Sequence, residues 1–396
     1  MGAYDIAVAG CGPAGLATAL LLGRDGHRVR LFERFDAPRP IGSGLMIQPT
    51  GQAVLRELGL DGELLAAGAR VDRLFGRAMP SGRKVLDVRY DWLKGGHFGI
   101  GTHRAALFDI LYRAVLAAGI PIETSRTIAG STEASGGRAL HFADGRSAGF
   151  DLVVDCLGTG SALADPCGYP LAYGALWASL DWPEDAGFDP TALEQRYVRA
   201  SRMVGVLPIG LRPGSDRPKT AYFWSLREDA LGAWREAGLD AWKEEALALW
   251  PSTAPFLDQI ASPEDLTFAR YSHRTLPRPA KRGLIHIGDS WHSASPQLGQ
   301  GANMALLDAW ALAKALRDRR DLADALALAV TMRGFHVRLF QLLTALFTPV
   351  YQSDSHVLPF IRDRIVGPLS HLWPATAIQA AMVTGLMGGP LKPLGL

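Results

Sequence analysis

Cysteine is scarce in this chain, with three in 396 residues. Cys11, Cys156 and Cys167 stand far from any C-x-x-C spacing, so neither a metal site nor a disulfide framework is indicated. A surplus of one charge is missing too: 41 Lys and Arg face 39 Asp and Glu, for a net charge of +2. With no basic run interleaved with aromatics, nucleic acid is not an expected partner. The first apolar run begins almost at once, without a basic n-region or cleavage site, so a cytoplasmic protein is the default expectation. No internal repeat or low-complexity segment is visible. One stretch, 366–391, contains no Asp, Glu, Lys or Arg. Pro368, Pro374, Gly385, Gly388, Gly389 and Pro390 interrupt it, so no clean run of about 20 apolar residues survives to span a bilayer. Its expected role is packing against the protein's own domains or a second subunit, with peripheral membrane contact the weaker alternative.

What is present is ordinary globular material: 48% hydrophobic and 20% charged, in a length that holds two modest domains. Residues 5–33, DIAVAGCGPAGLATALLLGRDGHRVRLFE, organise the rest. Ile6, Ala7, Val8 and Ala9 form the unbroken apolar run of a parallel strand buried on both faces. Gly10, Gly12 and Gly15 then complete G-x-G-x-x-G. The first glycine permits a tight turn, the second lets backbone approach a pyrophosphate, and the third lets helix and strand pack closely. Pro13 and Ala14 open a helix of strong formers, whose free N–H groups and positive dipole end face the phosphates. Asp25-Gly26 turns the chain into a second strand at Val29, Leu31 and Phe32. Glu33 ends that strand, placed to accept hydrogen bonds from a ribose hydroxyl pair, with Arg34 beside it as a further candidate contact. Strand, glycine turn, helix and acid together imply dinucleotide binding and leave NAD and FAD both open. Cys11, inside the turn, reads as a packing bystander.

After Glu33 the chain leaves the sheet. Pro38 and Pro40 keep it extended, and Gly42 and Gly44 permit close approach to a bound group. Thr50 is the expected cap of a helix over 51–58, and 71–88 reads as one or two strands turning at Ser81-Gly82. Thr102 is the expected cap of the next helix, with Leu107, Ile110, Leu111 and Leu116 inward. Arg104, in its first turn, opposes the helix dipole. Either a phosphate or ribose, or an ion pair with Asp109 or Glu123, must account for it. Residues 120–124, 139–142 and 151–156 read as strands, with a hairpin turn at Asp144-Gly145. From about 170 the texture changes: 175–182, 196–207 and 220–226 alternate as in an antiparallel sheet, while 187–194 and 229–250 read as helices. The aromatics of that block, Trp177, Tyr222, Phe223 and Trp224 among them, either fill its core or face a flat substrate. The first sheet resumes at 283–287. A long helix then opens at 299–303, with Leu306, Leu307, Trp310 and Leu316 inward, and helices broken at Pro349, Pro359 and Pro374 run to the end.

Three of these segments together resemble the group A flavoprotein monooxygenases, the family of para-hydroxybenzoate hydroxylase and salicylate hydroxylase. They are 5–33, Arg104 after GIGTHR, and Gly288-Asp289 with Pro296, Gly299, Gln300, Gly301, Ala302 and Asn303. The resemblance implies an α/β fold: a Rossmann-type FAD-binding domain with an inserted mixed β-sheet substrate domain and C-terminal helices. The FAD-binding domain would comprise 1–170 and 270–330, with part of 70–100 in the substrate sheet. The substrate domain would cover 171–269 and the helical segment 331–396. The implied FAD contacts are Gly10, Gly12, Pro13, Ala14, Gly15, Glu33, Arg34, Arg104, Asp289, Pro296, Gly299, Gly301, Ala302 and Asn303. Asp289 would accept hydrogen bonds from ribityl hydroxyls, and the helix after Gly299 would aim its dipole at the flavin's pyrimidine edge. The implied reaction hydroxylates an aromatic or conjugated small molecule with O₂, through a flavin C4a-hydroperoxide, with NAD(P)H as reductant. No metal is implied.

One position departs from the family. Its middle stretch reads D-L-V-V-x-x-D-G-x-x-S, and here 151–161 is DLVVDCLGTGS, with Leu157 where the acid belongs. The family associates that acid with FAD and NAD(P)H handling, so nicotinamide docking differs here or is absent. Asp155, two residues earlier, is the candidate substitute. Electrons then come from NAD(P)H directly, from a separate reductase, or from the substrate in an oxidase-type reaction. The candidate catalytic groups are His292, Tyr222 and Pro296, with Tyr271 a further phenol. His292 has a structural role as its alternative. A halogenase is the remaining alternative, but WASLDWP at 177–183 does not match W-x-W-x-I-P. A homodimer is compatible with all of these readings.

Overall fold

The computed structural model describes residues 2–39, 42–183 and 187–396. Pro40, expected to hold the chain extended, falls outside them. The first apolar run becomes the strand Asp5–Ala9, in which Ile6, Ala7, Val8 and Ala9 have no exposed surface. A strand buried on both faces suits a parallel sheet covered by crossover elements. It pairs in parallel with Leu152–Asp155 on one side and Arg28–Phe32 on the other. The sheet continues to Leu284–His286 and Ala280–Lys281 at one edge and to Ile122–Glu123 at the other. Helices Pro13–Arg24 and Gly301–Asp318 pack together on one face, where Leu16, Leu20, Leu306, Leu307 and Leu312 share a dry core. A three-stranded antiparallel sheet covers the other face, setting Phe142 and Phe150 against Phe32 at 5.2 and 5.7 Å.

A seven-stranded sheet forms the second layer, in the order Thr267–Ala269, Tyr173–Asp181, Pro218–Arg227, Arg202–Leu211, Ala192–Val198, Arg73–Ala78, Lys84–Arg89. Alternation along Pro218–Arg227 gives it two faces. Tyr222 and Trp224 pack outward with Leu176, Trp242 and Phe256 under the helix Leu231–Leu249. Ala221 and Phe223 point inward with Leu207, Ile209 and Met46. That inner face meets the FAD-type half through a small sheet of Gly44–Ile47, Gly99–His103 and Ala69–Val71. The approach is close: a Cβ on Gly101 would lie 1.9 Å from the Pro208 carbonyl oxygen.

Several local expectations give way to tertiary contacts. Residues 187–194 hold no helix: the Asp189 carboxylate accepts the Thr191 N–H at 2.8 Å, and the strand that follows pairs in parallel with 73–78. Residues 196–207 divide between two strands that turn at Ala200 and Ser201. The helix Pro49–Glu57 begins one turn position before Thr50, with Gln48 at its N-cap, and the buried Thr50 hydroxyl has no partner. The helix Arg104–Ala117 is capped by His103, whose Nδ1 accepts the Ala105 N–H at 3.1 Å, and not by Thr102. Pro349 and Pro359 lie inside the helices Leu322–Tyr351 and Val357–Ile361.

The 322–351 helix buries Ala325, Ala329, Arg333, His336 and Phe340 as it packs on the 301–318 helix. By length and composition it could cross a membrane, with 33% of its most apolar window buried. Short helices follow. The last long one, Ala375–Val383, returns Ala380 and Val383 to the inner face of the seven-stranded sheet. The uncharged stretch therefore packs at its far end, while Leu369, Leu372 and Trp373 stand in solvent.

Candidate active site

The glycine turn is built as its spacing demands. Gly10 takes φ +102°, open to glycine and strained for other residues, and its N–H donates to the Phe32 carbonyl at 2.9 Å. A Cβ on Gly15 would lie 1.9 Å from the Gly10 oxygen, so the third glycine is what seats helix on strand. Gly12 differs: with φ −72° and ψ 176°, its Cβ position meets no atom within 4 Å. No side chain caps the Pro13–Arg24 helix, which leaves first-turn N–H groups such as that of Ala14 directed at open space. The Glu33 carboxylate accepts the N–H groups of Cys11 at 3.2 Å and Phe35 at 3.1 Å, which fixes it beside the turn. Arg34 is exposed and lies over the Phe35 ring. Burial, then Glu33, pushes the Cys11 thiol up to about 12, so it is unreactive.

A second pole lies opposite. Gly288 takes φ +61°, and its Cβ position is 3.1 Å from Ala305 and 3.6 Å from Ala14. This contact joins the N-terminal turns of both helices and delivers Asp289 between them. A Cβ on Gly301 would lie 3.9 Å from Asp289 Oδ1. The Asp289 side chain is open to solvent on one side and crowded by protein on the others. Crowding raises its carboxyl above the ordinary value, while His292 and Arg104 pull it back and Asp308 adds to it. Arg104 is exposed beside Gly42. Neither surface pairing considered for it forms: Asp109 holds Arg113, and Glu123 faces Arg30 and Arg126. Gly299 is left-handed at φ +61°, and no side chain caps the 301–318 helix at Gly301 and Ala302.

Behind Asp289 runs a buried polar network. Asp308 Oδ2 accepts the Gly288 N–H at 2.9 Å and lies 2.6 Å from His292 Nε2, and Oδ1 accepts Arg333 Nε at 2.7 Å. Arg333 also donates to His336 Nδ1 at 3.0 Å, and His336 Nε2 donates to the Gly385 carbonyl at 3.0 Å. Against the pull of burial, His292 and Arg333 hold the Asp308 carboxyl down at about 2. Burial, then Arg333, depresses His336 to about 3. The turn that carries Asp289 is thereby tied to the C-terminal segment.

The inner sheet face carries aromatics. Trp177 and Phe223 are cross-strand partners with ring centroids 4.7 Å apart, and Trp177 Nε1 donates to the Tyr271 hydroxyl at 2.9 Å. Ser272 and Ser293 lie 3.1 Å apart through their hydroxyls, which stitches this trio to the loop leading to the exposed Pro296. On the same face Ser179 bonds Ser43 beside Gly42 and Arg104. The aromatic patch and the two-helix cradle thus border one cleft.

The sequence matches the FAD binding domain family over residues 3–322. It is 30% identical over 337 residues to 3-amino-4-hydroxybenzoate 2-monooxygenase of Streptomyces cremeus, covering 79% of each chain. It is 28% identical over 315 residues to 6-hydroxynicotinate 3-monooxygenase of Bordetella bronchiseptica, covering 77% of this chain and 80% of that one. The chain belongs to the FAD-dependent aromatic monooxygenases. Its fold is shared with a Klebsiella pneumoniae HpxO variant complexed with FAD, at a TM-score of 0.81, 19% identity and 98% of this chain covered against 100% of that one. It is shared equally with 2-methyl-3-hydroxypyridine-5-carboxylic acid oxygenase in its tetrameric form, at a TM-score of 0.79, 19% identity, and 99% and 98% coverage.

The monooxygenase's residues fit FAD. Open space at Gly12, two uncapped helix N-termini, a carboxylate directed into the cleft and an arginine with no carboxylate partner among the described residues are what a dinucleotide would occupy. Four sequence candidates are placed elsewhere. Tyr222 has no exposed surface and faces Trp242 on the outer side of the sheet, its hydroxyl unpartnered beside Thr253, because its parity along the strand is that of the outward residues. His292 is buried against Asp308 and supports the flavin turn from behind. The Asn303 side chain accepts the Gln48 N–H at 2.8 Å and donates to the carbonyls of Met46 and Gly299, so only its backbone remains for a cofactor. Asp155 has no exposed surface and is taken up by His286 at 2.6 Å, Ser161 at 2.5 Å and the Leu157 N–H at 3.0 Å; it does not replace the missing acid. Sequence reasoning left open whether Trp177 and Phe223 fill the core or face a substrate, and it missed the Asp308–Arg333–His336 network. Period-two parity could have separated Phe223 from Tyr222.

Proposed function

We propose that this flavoenzyme hydroxylates a flat, uncharged aromatic ring held between the inner sheet face and the flavin loop 288–303. The observation that carries this reading is the Trp177–Phe223–Tyr271 patch, which offers the half-buried Trp177 ring for stacking, backed by the buried Phe223, and one phenol. The Tyr271 hydroxyl accepts from Trp177 and keeps its own proton to donate, and burial raises its pKa, so it stays protonated. The cations on the two strands that carry Trp177 and Phe223 are already engaged, Lys219 with Asp181 and Arg227 with Asp229 and Asp354, so a substrate carboxylate would have to compete for them. When bound and reduced, FAD supplies oxygen activation and transfer. The chain's own groups orient it, through Gly12, Glu33, Arg104, Asp289 and the two helix N-termini, and keep water from the ring with apolar neighbours such as Leu207, Ile209 and Ala380.

This reading divides the chain into an FAD-binding part at 1–170 and 270–330, an inserted part at 171–269 and a helical segment at 331–396, with 73–89 joining the inserted sheet. It includes a cytoplasmic location and a homodimer as the assembly. The test is anaerobic mixing of the FAD-loaded enzyme with NADH or NADPH and paired aromatics, each hydroxylated ring with and without a carboxylate, followed by oxygen. Gain of one oxygen atom on the neutral ring is expected. Faster turnover of the carboxylated member of each pair would overturn the reading.

A second reading of the electron source is favoured by Leu157, a half-buried apolar side chain where the family has an acid, together with the engaged Asp155. Loss of one charge-assisted hydrogen bond removes about 1.5–3 kcal/mol, or roughly ten- to a hundredfold in nicotinamide affinity. Direct but inefficient use of NAD(P)H is the first expectation, with a separate reductase or the substrate itself as the rival donor. Leu157→Asp should speed flavin bleaching by NAD(P)H; an unchanged rate would remove Leu157 from the account.

A further inference from the structure

We propose that the C-terminal helices form a docking face for an anionic phospholipid surface. Among the described residues, 357–373 present Phe360, Ile365, Leu369, Leu372 and Trp373 to solvent, and Trp373 is 83% exposed. Leu342 and Leu346 on the 322–351 helix are exposed as well. So many bulky apolar side chains exposed within the one stretch 357–373 mark an interaction site and not incidental exposure.

The charge beside it selects the partner. A groove runs between the strand Lys84–Arg89 and the short helices, lined by Arg83, Lys84, Arg364, His371, Pro368 and Asp363. Its one acid, Asp363, already accepts Arg362 Nε at 2.7 Å, and 364–391 contains no Asp or Glu. Arg364 lies 4.9 Å from the Phe360 ring centroid, so a cation sits directly on an exposed aromatic. Lys84 is shared with Asp87 at 3.8 Å, but Arg83 and Arg364 have no carboxylate partner among the described residues, and bulky apolar side chains and a projecting tryptophan beside them match the boundary between headgroups and acyl chains of an anionic leaflet. A second copy of this chain fits less well: a two-fold axis passing through the basic groove would set its cations against their own copies.

The FAD-loaded full chain should co-sediment with vesicles of phosphatidylcholine mixed with phosphatidylglycerol, and at least about tenfold less with phosphatidylcholine alone, from the several basic side chains near the surface. Added salt should weaken that binding. Arg364→Glu should lower partitioning by about fivefold or more, near the effect of one surface cation. Trp373→Glu should abolish it while leaving flavin absorbance and circular dichroism unchanged, since the side chain packs on little else. Equal binding to both vesicle types, no binding to either, or light scattering showing that Trp373→Glu dissociates an oligomer would overturn the proposal; the last would assign the face to a second copy.

Discussion

Asp308 and Arg333 make the sharpest test of what holds the flavin turn in place. Each is about 1% exposed, and the carboxylate is the only counter-charge bonded to the guanidinium among the described residues. Asp308→Asn keeps the shape but removes the charge, leaving Arg333 ionised in a dry interior, with its Nη2 already unpartnered. Breaking one side of a buried pair costs about 3–5 kcal/mol, a large part of the roughly 5–15 kcal/mol that keeps a domain folded. Arg333→Met strands the carboxylate and should cost a similar amount. Replacing both with apolar side chains, Asp308→Leu with Arg333→Met, removes the desolvated charges together and should cost well under the sum, because the penalty lies in the uncompensated partner. Urea unfolding followed by the fluorescence of the ten tryptophans reads these costs. FAD titration reads the second effect: where Asp308 becomes Leu the Gly288 N–H loses its acceptor and FAD affinity should fall about tenfold, while Arg333→Met keeps that acceptor and should change it less. Additive costs, or an Asp308→Asn penalty below about 1 kcal/mol, would refute this account of the network.

Other expectations follow from single contacts. Gly15→Ala should fail to fold or to retain FAD, because its methyl would overlap the Gly10 oxygen, whereas Gly12→Ala should fold normally and lose only FAD affinity, as read by calorimetric titration. Trp177→Leu should raise KM for the aromatic substrate by about tenfold, from lost stacking and ring burial. Tyr222→Phe should leave both kcat and KM unchanged, since its hydroxyl meets nothing in the cleft. His103 is depressed to about 4 by burial, Arg212 and Lys219, and its neutral Nδ1 is needed to cap the helix. Below about 6.5 the unfolded chain takes up a proton that the folded chain refuses until about 4, so this contribution is complete above that window and is lost as pH falls through it. His103→Asn should cap equally well without titrating, and stability measured across that window should lose up to about 1.4 kcal/mol per pH unit of slope.

The cofactor half was legible because its determinants are local. An apolar run, three glycines with distinct backbone duties and an acid at the next strand's end each carry their requirement in the residue type. What escaped was set by distant partners. The run 187–194 looks helical until 73–78 pairs with the strand it opens, and Thr50 and Thr102 look like caps until packing sets the helix starts at Pro49 and Arg104. Alternation at 221–225 is plain in the sequence, but which parity faces the small sheet depends on where the Gly44–Ile47 strand docks, so the hydroxyl that makes Tyr222 a candidate does not reveal that it faces outward. Asn303 is a candidate through the family resemblance and Asp155 through its place two residues before Leu157, and in sequence both look available. Only the folded chain shows their hydrogen bonds already used.

Ala380 and Val383 join Phe223 in one cluster, Gln300 donates to the Val383 carbonyl at 2.7 Å, and Trp310 donates to that of Leu394. The family match, however, stops at 322. The inner sheet face is therefore built mostly from the part that defines the family and completed by side chains from beyond it. A truncation that removes 375–396 would take Ala380 and Val383 away from Phe223 and so act on that face directly.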